Sequence, residues 1–588
     1  MHGSLATYPK RCSAASRAVW MPLWKQTHFL QCCPSSSSPA SGKAERHNRS
    51  SEACGKLRRL ATRGERSTGD DMSWQSEVDE LERQTALAKE MGGPDGVAFQ
   101  HGRGKLTVRE RVDLLADAGS FQEIGALAGT ATWEGDEVSG LKPSNTVIGM
   151  CRVDGRKVAF SGGDFTIRGG AADAAIGNKG QFAEQTALRT RIPYVRLLDA
   201  TGGSVKTFEK MGRTYLPGNS GTNVSAELLQ YVPVVSTVLG SVAGLPAVQA
   251  CLCHFSVMVK VTSQVFVAGP KVVEQATGRT ITKEELGDEK VQLKNGVIMN
   301  LANSEAGAIE QAQRFLSYLP SNVWEAPPVT DPDDAPDRRE ESLLSAVPRD
   351  RRKIYDPKKV LNAVLDKDSF FELMPLYGRA RVTGLARVNG VPVGVMANNP
   401  KFNGGSMDIA AGEKTIRLIE LCDTFHLPLV YFADEPGFSV GPAQEQAGIV
   451  RAGARVVTTL ARSRTPYICF VMRQLYGVAG GLHQRGGDGL YRRYAWPSTH
   501  GGSMHIEGGT AIAYKRDIEN AEDPDAKRAE IEAMLQSISS PFRNAHAFGI
   551  EDIIDPRDTR PLLVDFVEDA WKVVQTQVGP GSGPSYRP

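Results

Sequence analysis

The sequence predicts an α/β protein built from two tandem copies of one fold. The chain has 588 residues, several times the ~150 residues that a single domain typically contains. Residues 147–205 align with residues 382–440 without a gap, and 18 of the 59 aligned positions are identical. Short apolar runs alternate with segments of helical periodicity in both copies, and this alternation is typical of an α/β protein.

The composition excludes two classes of partner. The chain is 41% hydrophobic and 23% charged, as in an ordinary globular protein. It has no apolar run of the ~20 residues that a membrane-spanning helix requires. Residues 1–71 hold 12 Lys and Arg against 5 Asp and Glu, yet the whole chain carries a net charge of only +2. A broad nucleic-acid surface needs a basic patch, so we expect neither nucleic acid nor a membrane as partner.

The nine cysteines do not predict a disulfide framework. Four of them lie in residues 1–71, and the other five are scattered through apolar runs. This usage favours a reducing compartment. Cys251 and Cys253 lie next to His254, a spacing that suggests a metal site, but their alternation inside an apolar run favours a buried structural segment. We expect no metal in this chain and a cytoplasmic location.

Residues 1–71 are predicted to be a disordered extension, because they are rich in Ser and Arg, poor in acidic residues and without apolar periodicity. Such a composition is also typical of an organelle transit peptide, which would place the protein in the mitochondrial matrix. The alternative, which we favour, is that translation starts at Met72. A helical pattern of Val78, Leu81, Ala88 and Met91 follows that residue.

The body of the chain is predicted to divide at a proline-rich linker. Residues 326–341 are rich in Pro and acidic residues, a composition typical of a linker. We therefore expect an N-terminal domain over residues 72–325 and a C-terminal domain over residues 342–588. Near the start of the first domain, Thr107-Val-Arg-Glu110 has the spacing of a capping box, which predicts the start of a helix.

Both copies of the repeat predict the same order of elements. Residues 152–155 and 387–390 predict matching hairpin turns between two strands. A Gly-Gly loop follows each hairpin. A helix then begins near Lys179 in the first copy and near Lys414 in the second, and it leads into an apolar strand. The order is therefore strand, turn, strand, glycine loop, helix and strand in each copy.

Glycines recur where strands end and helices begin. They are Gly202-Gly203 and Gly244 in the first copy, and Gly437 and Gly477 in the second. Backbone amides in such loops, reinforced by a helix N-terminus, can stabilise negative charge that develops on a carbonyl oxygen. The alternative is a set of tight turns that need positive φ. Because the loops recur at matched positions, we predict two related oxyanion sites of the kind that suits thioester enolates.

Ordered motifs cover about residues 100–575. The first half contains Lys105-Leu-Thr-Val-Arg-Glu-Arg111, Phe165-Thr-Ile-Arg-Gly-Gly170 and Phe266-Val-Ala-Gly-Pro270. The second half contains Asp408-Ile-Ala-Ala-Gly-Glu-Lys414, Pro436-Gly-Phe438, Ala495-Trp-Pro497 and Ile554-Asp-Pro-Arg-Asp-Thr-Arg560. In these motifs the chain resembles the carboxyltransferase (β) subunit of biotin-dependent acyl-CoA carboxylases, the group that includes the propionyl-CoA, acetyl-CoA and methylcrotonyl-CoA carboxylases.

The resemblance implies two crotonase-like domains, each a ββα spiral, in a homo-hexamer arranged as a dimer of trimers. The N-terminal half would hold acyl-CoA, and the C-terminal half of a neighbouring subunit would hold carboxybiotin. The thioester enolate would then take the carboxyl group. Biotin would arrive on a partner with biotin carboxylase and biotin carboxyl carrier functions, because this sequence contains no biotinylation site and no ATP-grasp domain.

The resemblance also implies three groups of site residues. They are the oxyanion-hole residues Gly244, Leu245, Val478 and Ala479, the acyl-CoA residues Gly169, Gly170, Lys179, Gly202 and Gly203, and the biotin residues Gly437, Phe438, Tyr476 and Gly477.

The chain departs from the family pattern at both sites. Leu245-Pro246 stands where the family has Gly-Ala, and Pro246 removes one amide donor. Val478 stands where a glycine is usual, and Thr201-Gly-Gly-Ser-Val205 lacks the arginine of the family motif. These departures leave the acyl group open. Pro246 and Val478 also motivate one alternative, a catalytically silent scaffold subunit. A second alternative is a decarboxylase-type carboxyltransferase that runs toward carboxybiotin.

Overall fold

The computed structural model describes residues 73–218, 220–350, 353–482, 489–581 and 586–588. The predicted disordered extension over residues 1–71 lies outside the described residues. Two eight-stranded sheets with the same strand order form the centre of the described part of the chain, in agreement with the predicted repeat. None of the helices in the described ranges has the length and apolar character needed to cross a membrane.

The first half of the chain forms the first sheet and a separate two-stranded hairpin. Its strands are β1 (Gln122–Ile124), β2 (Gly129–Glu134), β3 (Glu137–Pro143), β4 (Thr146–Val153), β5 (Arg156–Gly163), β6 (Tyr194–Ala200), β7 (Val234–Ala243), β8 (Phe255–Val259), β9 (Gln264–Phe266) and β10 (Asn300–Ala302). The sheet order is β1-β4-β5-β6-β7-β8-β10, β9 pairs with β7, and β2 pairs with β3 outside the sheet.

Helices cover this sheet and connect its strands. They are α1 (Gln75–Lys89), α2 (Gly93–His101), α3 (Val108–Leu115), α4 (Lys179–Thr190), α5 (Lys206–Met211), α6 (Ser220–Leu228), α7 (Leu245–Cys251), α8 (Pro270–Thr277), α9 (Lys283–Gly287), α10 (Glu289–Gln292) and α11 (Glu305–Ser317). Short 3₁₀ turns lie at Arg168–Gly170 and Ala172–Ala174.

The second half of the chain repeats this arrangement. Its strands are β11 (Phe371–Leu373), β12 (Arg381–Val388), β13 (Val391–Asn398), β14 (Leu429–Glu435), β15 (Tyr467–Tyr476), β16 (Tyr491–Ala495), β17 (His500–Gly502) and β18 (Asp552–Ile553). The sheet order is β11-β12-β13-β14-β15-β16-β18, and β17 pairs with β15. This order matches that of the first sheet strand by strand.

The second half also has the matching helices and a longer C-terminal set. They are α12 (Pro357–Val364), α13 (Ile409–Phe425), α14 (Pro442–Ala447), α15 (Ile449–Arg462), α16 (Gly477–Gly481), α17 (Ile506–Ala513), α18 (Lys515–Glu519), α19 (Pro524–Ile538), α20 (Pro541–His546) and α21 (Thr559–Gln577). Short 3₁₀ turns lie at Glu341–Ser345, Asn403–Gly405 and Pro556–Asp558.

Both sheets begin with antiparallel strands and continue with parallel ones. β4 and β5 are antiparallel, whereas β5, β6, β7 and β8 run parallel. β12 and β13 are antiparallel, and β13 to β16 run parallel. Parallel neighbours need a crossover connection, which α4 provides between β5 and β6 and α13 provides between β13 and β14. The carboxyl ends of the parallel strands therefore lie along one edge of each sheet.

The predicted hairpin turns are confirmed in both halves. Asp154 and Gly155 have φ values of +50° and +76°, and Asn389 and Gly390 have values of +50° and +79°. Two consecutive residues of positive φ match the twist of the flanking strands, and Asp-Gly and Asn-Gly pairs are favoured there. The repeated sequence thus encodes the same turn twice.

The two sheets share one hydrophobic core. Phe255 of β8 stacks on Phe315 of α11, with ring centroids 4.9 Å apart, and meets Phe371 of β11 at 5.5 Å. Tyr318 also stacks on Phe371. Burial of aromatic side chains against partners from both sheets contributes strongly to stability, so the two halves are held together by core packing.

The predicted linker has no helix or strand over residues 321–340. It packs along the second half, because the Thr330 amide donates to the Gly390 carbonyl at 3.1 Å. Arg338 forms ion pairs with Asp334 and Glu340, both at 2.8 Å. The domain boundaries on either side of this segment stay predictions.

Helix α1 confirms the helix predicted after Met72. Ala88 is buried, whereas Val78 and Leu81 are 42% and 52% exposed. Helix α1 contacts the β2–β3 hairpin. Arg83 of α1 donates to the Val138 carbonyl of β3 at 2.7 Å. A narrow hairpin covers less of a helix than a full sheet does.

His254 is buried between elements of both halves. Its Nδ1 accepts the Val234 amide at 3.0 Å, and its Nε2 lies 3.1 Å from the Leu229 carbonyl. The rings of Phe425 and Tyr586 lie 4.8 and 4.7 Å from the imidazole. The neutral imidazole therefore satisfies two backbone groups inside an aromatic environment.

We expect this histidine to make the free energy of unfolding depend on pH. Burial lowers the pKa of His254 to about 3, whereas an unfolded histidine titrates near pH 6.5. Above about pH 6.5 the neutral imidazole makes its full contribution to the free energy of unfolding. This contribution decreases by up to about 5 kcal/mol as the pH falls toward 3. Urea unfolding between pH 4 and 7 should show a shallower pH slope for His254→Gln than for the wild type. The exposed His546→Gln is the control, and equal slopes for all three proteins would contradict the prediction.

Candidate active site

Two glycine loops meet at the carboxyl edge of the first sheet. Gly202 follows β6 and Gly244 follows β7, with φ values of +75° and +68°. A Cβ atom added to Gly202 would lie 2.4 Å from the Ala243 carbonyl oxygen. One added to Gly244 would lie 3.9 Å from the Cα of Gly202. Glycine adopts positive φ without steric cost, and only glycine permits the close approach at Gly202.

A third glycine loop completes the first site. Gly169 and Gly170 both have positive φ, and a Cβ added to Gly170 would lie 2.7 Å from the Cα of Ala200. The Thr201 hydroxyl donates to the Gly169 carbonyl at 2.9 Å. The structure therefore brings most of the residues predicted for the first site together, namely Gly169, Gly170, Gly202, Gly203, Gly244 and Leu245.

The Leu245 amide is a candidate hydrogen-bond donor at this site. The Gly244 amide already donates to the Val267 carbonyl at 3.1 Å, so Gly244 shapes the loop and does not offer its N–H. Leu245 is the first residue of α7, where helix amides have no intrahelical acceptor. Pro246 has no amide hydrogen, and the Ala247 amide donates to the Gly244 carbonyl at 3.0 Å.

The second sheet carries the same arrangement. Gly437 follows β14 and Gly477 follows β15, with φ values of +125° and +62°. The Met407 amide donates to the Gly437 carbonyl at 3.0 Å, as the Ala172 amide donates to the Gly202 carbonyl at 2.8 Å. The two sites are therefore related by the internal repeat at the level of single backbone hydrogen bonds.

An apolar side chain follows the glycine at both sites. Leu245 is 49% exposed and Val478 is 69% exposed, each at the first turn of a helix. Ala479 is fully buried, so only its backbone can face a ligand. The side chains of Leu245 and Val478 thus border the amides that a carbonyl oxygen would approach.

Two residues predicted to bind biotin are held in packing contacts. The Phe438 ring lies against Gly453 of α15, where an added Cβ would be 2.5 Å from the ring. Tyr476 is buried, and its ring centroid lies 4.1 Å from that of His505. Nε2 of His505 lies 2.8 Å from the Pro436 carbonyl. These contacts fix the loops that contain Gly437 and Gly477. A direct contact of the Phe438 or Tyr476 ring with biotin stays a prediction.

Lys179 and its repeat counterpart Lys414 have different surroundings. Lys179 is half-buried at the start of α4, and a Cβ added to Gly125 would lie 3.6 Å from its Cε. Burial lowers its pKa. Lys414 is fully buried and donates to the carbonyls of Met374 and Arg381 at 2.7 and 2.8 Å, and burial lowers its pKa to about 7. Lys414 is therefore structural, and the predicted contact of Lys179 with acyl-CoA is a proposal.

A buried ionic cluster lies beneath the first site. Asp199, three residues before Gly202, accepts hydrogen bonds from Gln100 and Arg111 at 3.0 and 3.1 Å. It also pairs with Lys105 at 2.6 Å, and Arg111 pairs with Glu305 at 2.6 Å. Burial lowers the pKa of Lys105, and the charge of Asp199 opposes that effect. The cluster ties the end of β6 to elements on both sides of it.

The predicted capping box positions one member of this cluster. The Thr107 hydroxyl accepts the Glu110 amide at 3.3 Å, and the Glu110 carboxylate accepts the Thr107 amide at 2.7 Å. Helix α3 therefore begins at Val108 as predicted. The first turn of this helix carries Arg111 into the cluster.

The second site rests on a matching carboxylate. Asp434 is fully buried three residues before Gly437, and it pairs with Arg473 at 2.9 Å. It accepts the Tyr355 hydroxyl at 3.0 Å and the Gln474 amide at 3.1 Å. Burial, and next the charge of Asp434, raise the pKa of Tyr355 well above its usual value. Because Gln474 lies three residues before Gly477, this carboxylate joins the strands that carry the two loops.

The sequence motifs include Lys105 and Arg111, but they assign no role at the sites to these supporting residues. One signal was present, because Asp199 and Asp434 are identical in the alignment of the two copies and each directly precedes a glycine loop. Their partners Lys105, Arg111, Tyr355 and Arg473 come from elements distant in sequence, and no spacing pattern connects them.

Cys253 and His254, which the sequence places beside Cys251, both contact backbone groups. Cys253 contacts the Ala250 carbonyl at 3.2 Å, and both ring nitrogens of His254 contact backbone groups. Within the ranges that the structure describes, no group of three or more His, Cys, Asp or Glu side chains could hold a metal ion.

Comparison with known protein families agrees with this arrangement. Residues 99–578 match the carboxyl transferase domain, a stretch that includes both sheets and both glycine-loop sites. The chain belongs to the carboxyl transferase family. The predicted fold of two tandem crotonase-like units and the predicted class of enzyme, a biotin-dependent acyl-CoA carboxyltransferase, are thereby confirmed.

Individual relatives cover most of this carboxyltransferase. The propionyl-CoA carboxylase carboxyltransferase subunit of Haloferax mediterranei is 33% identical over 500 residues, which are 84% of this chain and 96% of the relative. The methylmalonyl-CoA decarboxylase subunit alpha of Veillonella parvula is 32% identical and covers 84% of this chain and 95% of its own length. The hexameric transcarboxylase 12S, solved with methylmalonyl-coenzyme A and methylmalonic acid bound, has a TM-score of 0.77 at 30% identity and covers 88% of this chain and 99% of its own.

Proposed function

We propose that this carboxyltransferase moves a carboxyl group from carboxybiotin, carried by a partner subunit, to the α-carbon or vinylogous carbon of an acyl-CoA. The observation that carries the proposal is the duplicated glycine-loop site, Gly202 with Gly244 and Gly437 with Gly477. At the first site the Leu245 amide would stabilise the enolate oxygen of the thioester. At the second, the first-turn amides of α16 would stabilise the ureido oxygen of biotin.

The reaction needs two transient oxyanions to be stabilised. The N–C bond at the ureido nitrogen breaks, and a C–C bond forms at the acyl α-carbon. The electron pair for the new bond comes from the α C–H bond, and the released proton goes to the ureido nitrogen. A side-chain base is therefore not required, and preorganised amide donors supply the stabilisation.

The uncharged loops of the second site support the proposed binding of biotin there. Carboxybiotin would supply an activated carboxyl group on an uncharged ureido ring. Residues 436–441 and 476–482, which form the two loops, carry no charged side chain. The buried carboxylate of Asp434 lies at the base of these loops. It pairs with Arg473 and accepts a hydrogen bond from the Gln474 amide. Residues 436–441 and 476–482 therefore place no charged side chain of their own beside the amides of α16.

We further propose a homo-hexamer, arranged as a dimer of trimers, that works with a biotin carboxylase and a biotin carboxyl carrier subunit. The hexameric assembly of the related transcarboxylase 12S supports this proposal. The carboxylase relatives favour carboxylation over the decarboxylase alternative. The cytoplasmic location is a proposal that rests on the sequence.

A reconstituted transfer assay tests the proposed function. With radiolabelled bicarbonate, ATP, a biotin carboxylase and its biotinylated carrier, the chain should convert propionyl-CoA, acetyl-CoA or methylcrotonyl-CoA into an acid-stable labelled product. Omission of the carrier or of the thioester is the control. A decarboxylase-type enzyme would instead transfer label from methylmalonyl-CoA to the carrier. A silent scaffold would form an intact oligomer with no transfer in either direction.

A further inference from the structure

The imidazole of His505 contacts both loops of the second site. Its Nε2 lies 2.8 Å from the carbonyl oxygen of Pro436, the residue directly before Gly437. Its ring centroid lies 4.1 Å from that of Tyr476, the residue directly before Gly477. Because a carbonyl oxygen only accepts, Nε2 carries the proton and donates this hydrogen bond. One side chain therefore connects the two residues that precede the site glycines.

The internal repeat has a glycine at this position in the first half. Strand β9 pairs with β7 as β17 pairs with β15, and Phe266 and Gly502 stand at the same place in the two registers. Three positions later, Gly269 is the N-cap of α8 and His505 is the N-cap of α17. Since glycine has no side chain, the contacts of the imidazole have no counterpart at the first site.

The glycine loops of the two halves also differ in one backbone hydrogen bond. In the first half the Gly244 amide donates to the Val267 carbonyl at 3.1 Å. The repeat counterparts of these residues are Gly477 and Ser503, and a Cβ added to Gly477 would lie 3.5 Å from the Ser503 carbonyl oxygen. No backbone hydrogen bond joins that second pair in the described part of the chain. The segment that fixes the first loop therefore lies beside the second loop without bonding to it.

The side chain of His505 connects the same elements by another route. Its hydrogen bond joins the loop after β14 to the start of α17, and its ring contact joins the end of β15 to that start. Aromatic rings at this separation attract each other beyond the area that they bury. Side-chain contacts thus order the second site, whereas a backbone hydrogen bond orders the first.

We propose that His505 is a positioning residue of the second site, which fixes the separation between the Gly437 loop and the amides at the start of α16. This inference rests on the proposed function, in which that site holds carboxybiotin. Backbone donors stabilise a developing oxyanion only when they are held in place before the reaction, and a displacement of about 1 Å can lower a rate about 100-fold. His505 acts through the two loops and does not contact the reacting atoms.

Substitution by the residue that the first copy has at this position tests the role. His505→Gly removes both contacts but keeps the start of α17, because the His505 side chain makes no capping hydrogen bond and glycine is well accepted at an N-cap. In the reconstituted transfer assay, kcat/KM for the carboxylated carrier is expected to fall about tenfold, the effect of one lost hydrogen bond of ordinary strength. The dissociation constant for propionyl-CoA, measured by calorimetry, should not change.

Two further variants separate the hydrogen bond from a general loss of structure. The side-chain amide of His505→Gln extends about as far as Nε2 of histidine and donates to a carbonyl, so this variant should recover most of the lost kcat/KM. His546→Gln changes an exposed histidine of α20 and should match the wild type. An equal loss of carrier kinetics and of propionyl-CoA affinity in His505→Gly would indicate a general structural role and would overturn the proposal.

Amide hydrogen exchange measures the two loops without any reaction. Residues 436–441 and 476–482 should exchange faster in His505→Gly than in the wild type, and at the wild-type rate in His546→Gln. Unchanged exchange, or faster exchange with unchanged carrier kinetics, would overturn the proposal. Faster exchange of both loops in a protein that transfers no carboxyl group to or from any thioester would support the positioning role and refute the proposed function.

Discussion

Replacing Gly202 with alanine is expected to lower kcat/KM for acyl-CoA by about 100-fold, the loss that a displacement of about 1 Å at a catalytic site produces. The added Cβ would lie 2.4 Å from the Ala243 carbonyl oxygen, and φ at this residue is +75°. An L side chain is disfavoured in that conformation. The loop must therefore move away from Gly244, and the Leu245 amide no longer faces the thioester as it does now.

A glycine outside the site provides a matched control for this experiment. A Cβ added to Gly221 of α6 would meet no atom within 4 Å, so Gly221→Ala should keep activity within a few fold of the wild type. Circular dichroism and the oligomeric state should be unchanged in both variants. If Gly202→Ala and Gly221→Ala were equally active with acyl-CoA, the contact between the two loops would have no role in catalysis.

Replacing Asp434 with alanine is expected to destabilise the protein by about 3–5 kcal/mol, the usual cost of removing one member of a buried ion pair. The change leaves the guanidinium of Arg473 buried without its carboxylate, and the Tyr355 hydroxyl and the Gln474 amide lose their acceptor. The midpoint of urea unfolding, followed by circular dichroism, measures the loss.

An exposed ion pair on the same half serves as the comparison. Asp565 pairs with Arg492 on the surface of α21, and exposed pairs contribute little to stability. Asp565→Ala should therefore leave the unfolding midpoint close to that of the wild type. A midpoint for Asp434→Ala equal to that of Asp565→Ala would show that the buried carboxylate does not hold the second site together.

The sequence predicted the fold because the chain encodes it twice. The hairpin turns, the glycine loops and Asp199 with Asp434 are identical or nearly so at a constant spacing. Gly202 and Gly437 both adopt positive φ. This local requirement of the backbone restricts which residue types can stand at such positions. Turns, loop positions and the order of elements along each copy therefore followed from local patterns.

The alignment could not predict what each copied residue contacts. Lys179 and Lys414 occupy the same place in the repeat, yet Lys414 is buried against three backbone carbonyls and Lys179 lies beside Gly125. The Gly244 amide donates its hydrogen bond to the carbonyl of Val267, which lies 23 positions later in the chain. Contacts of this kind depend on packing between distant elements.

By itself, the sequence determined the duplicated α/β architecture, the two glycine-loop sites and the family resemblance. It could do so because glycine requirements, turn chemistry and apolar periodicity are local properties of the chain. The tertiary structure alone decided that the Gly244 amide is occupied by a carbonyl at the first site and that Lys414 is structural. Those features arise when strands and helices far apart in sequence pack together, because burial and charge then depend on neighbours that no local pattern specifies.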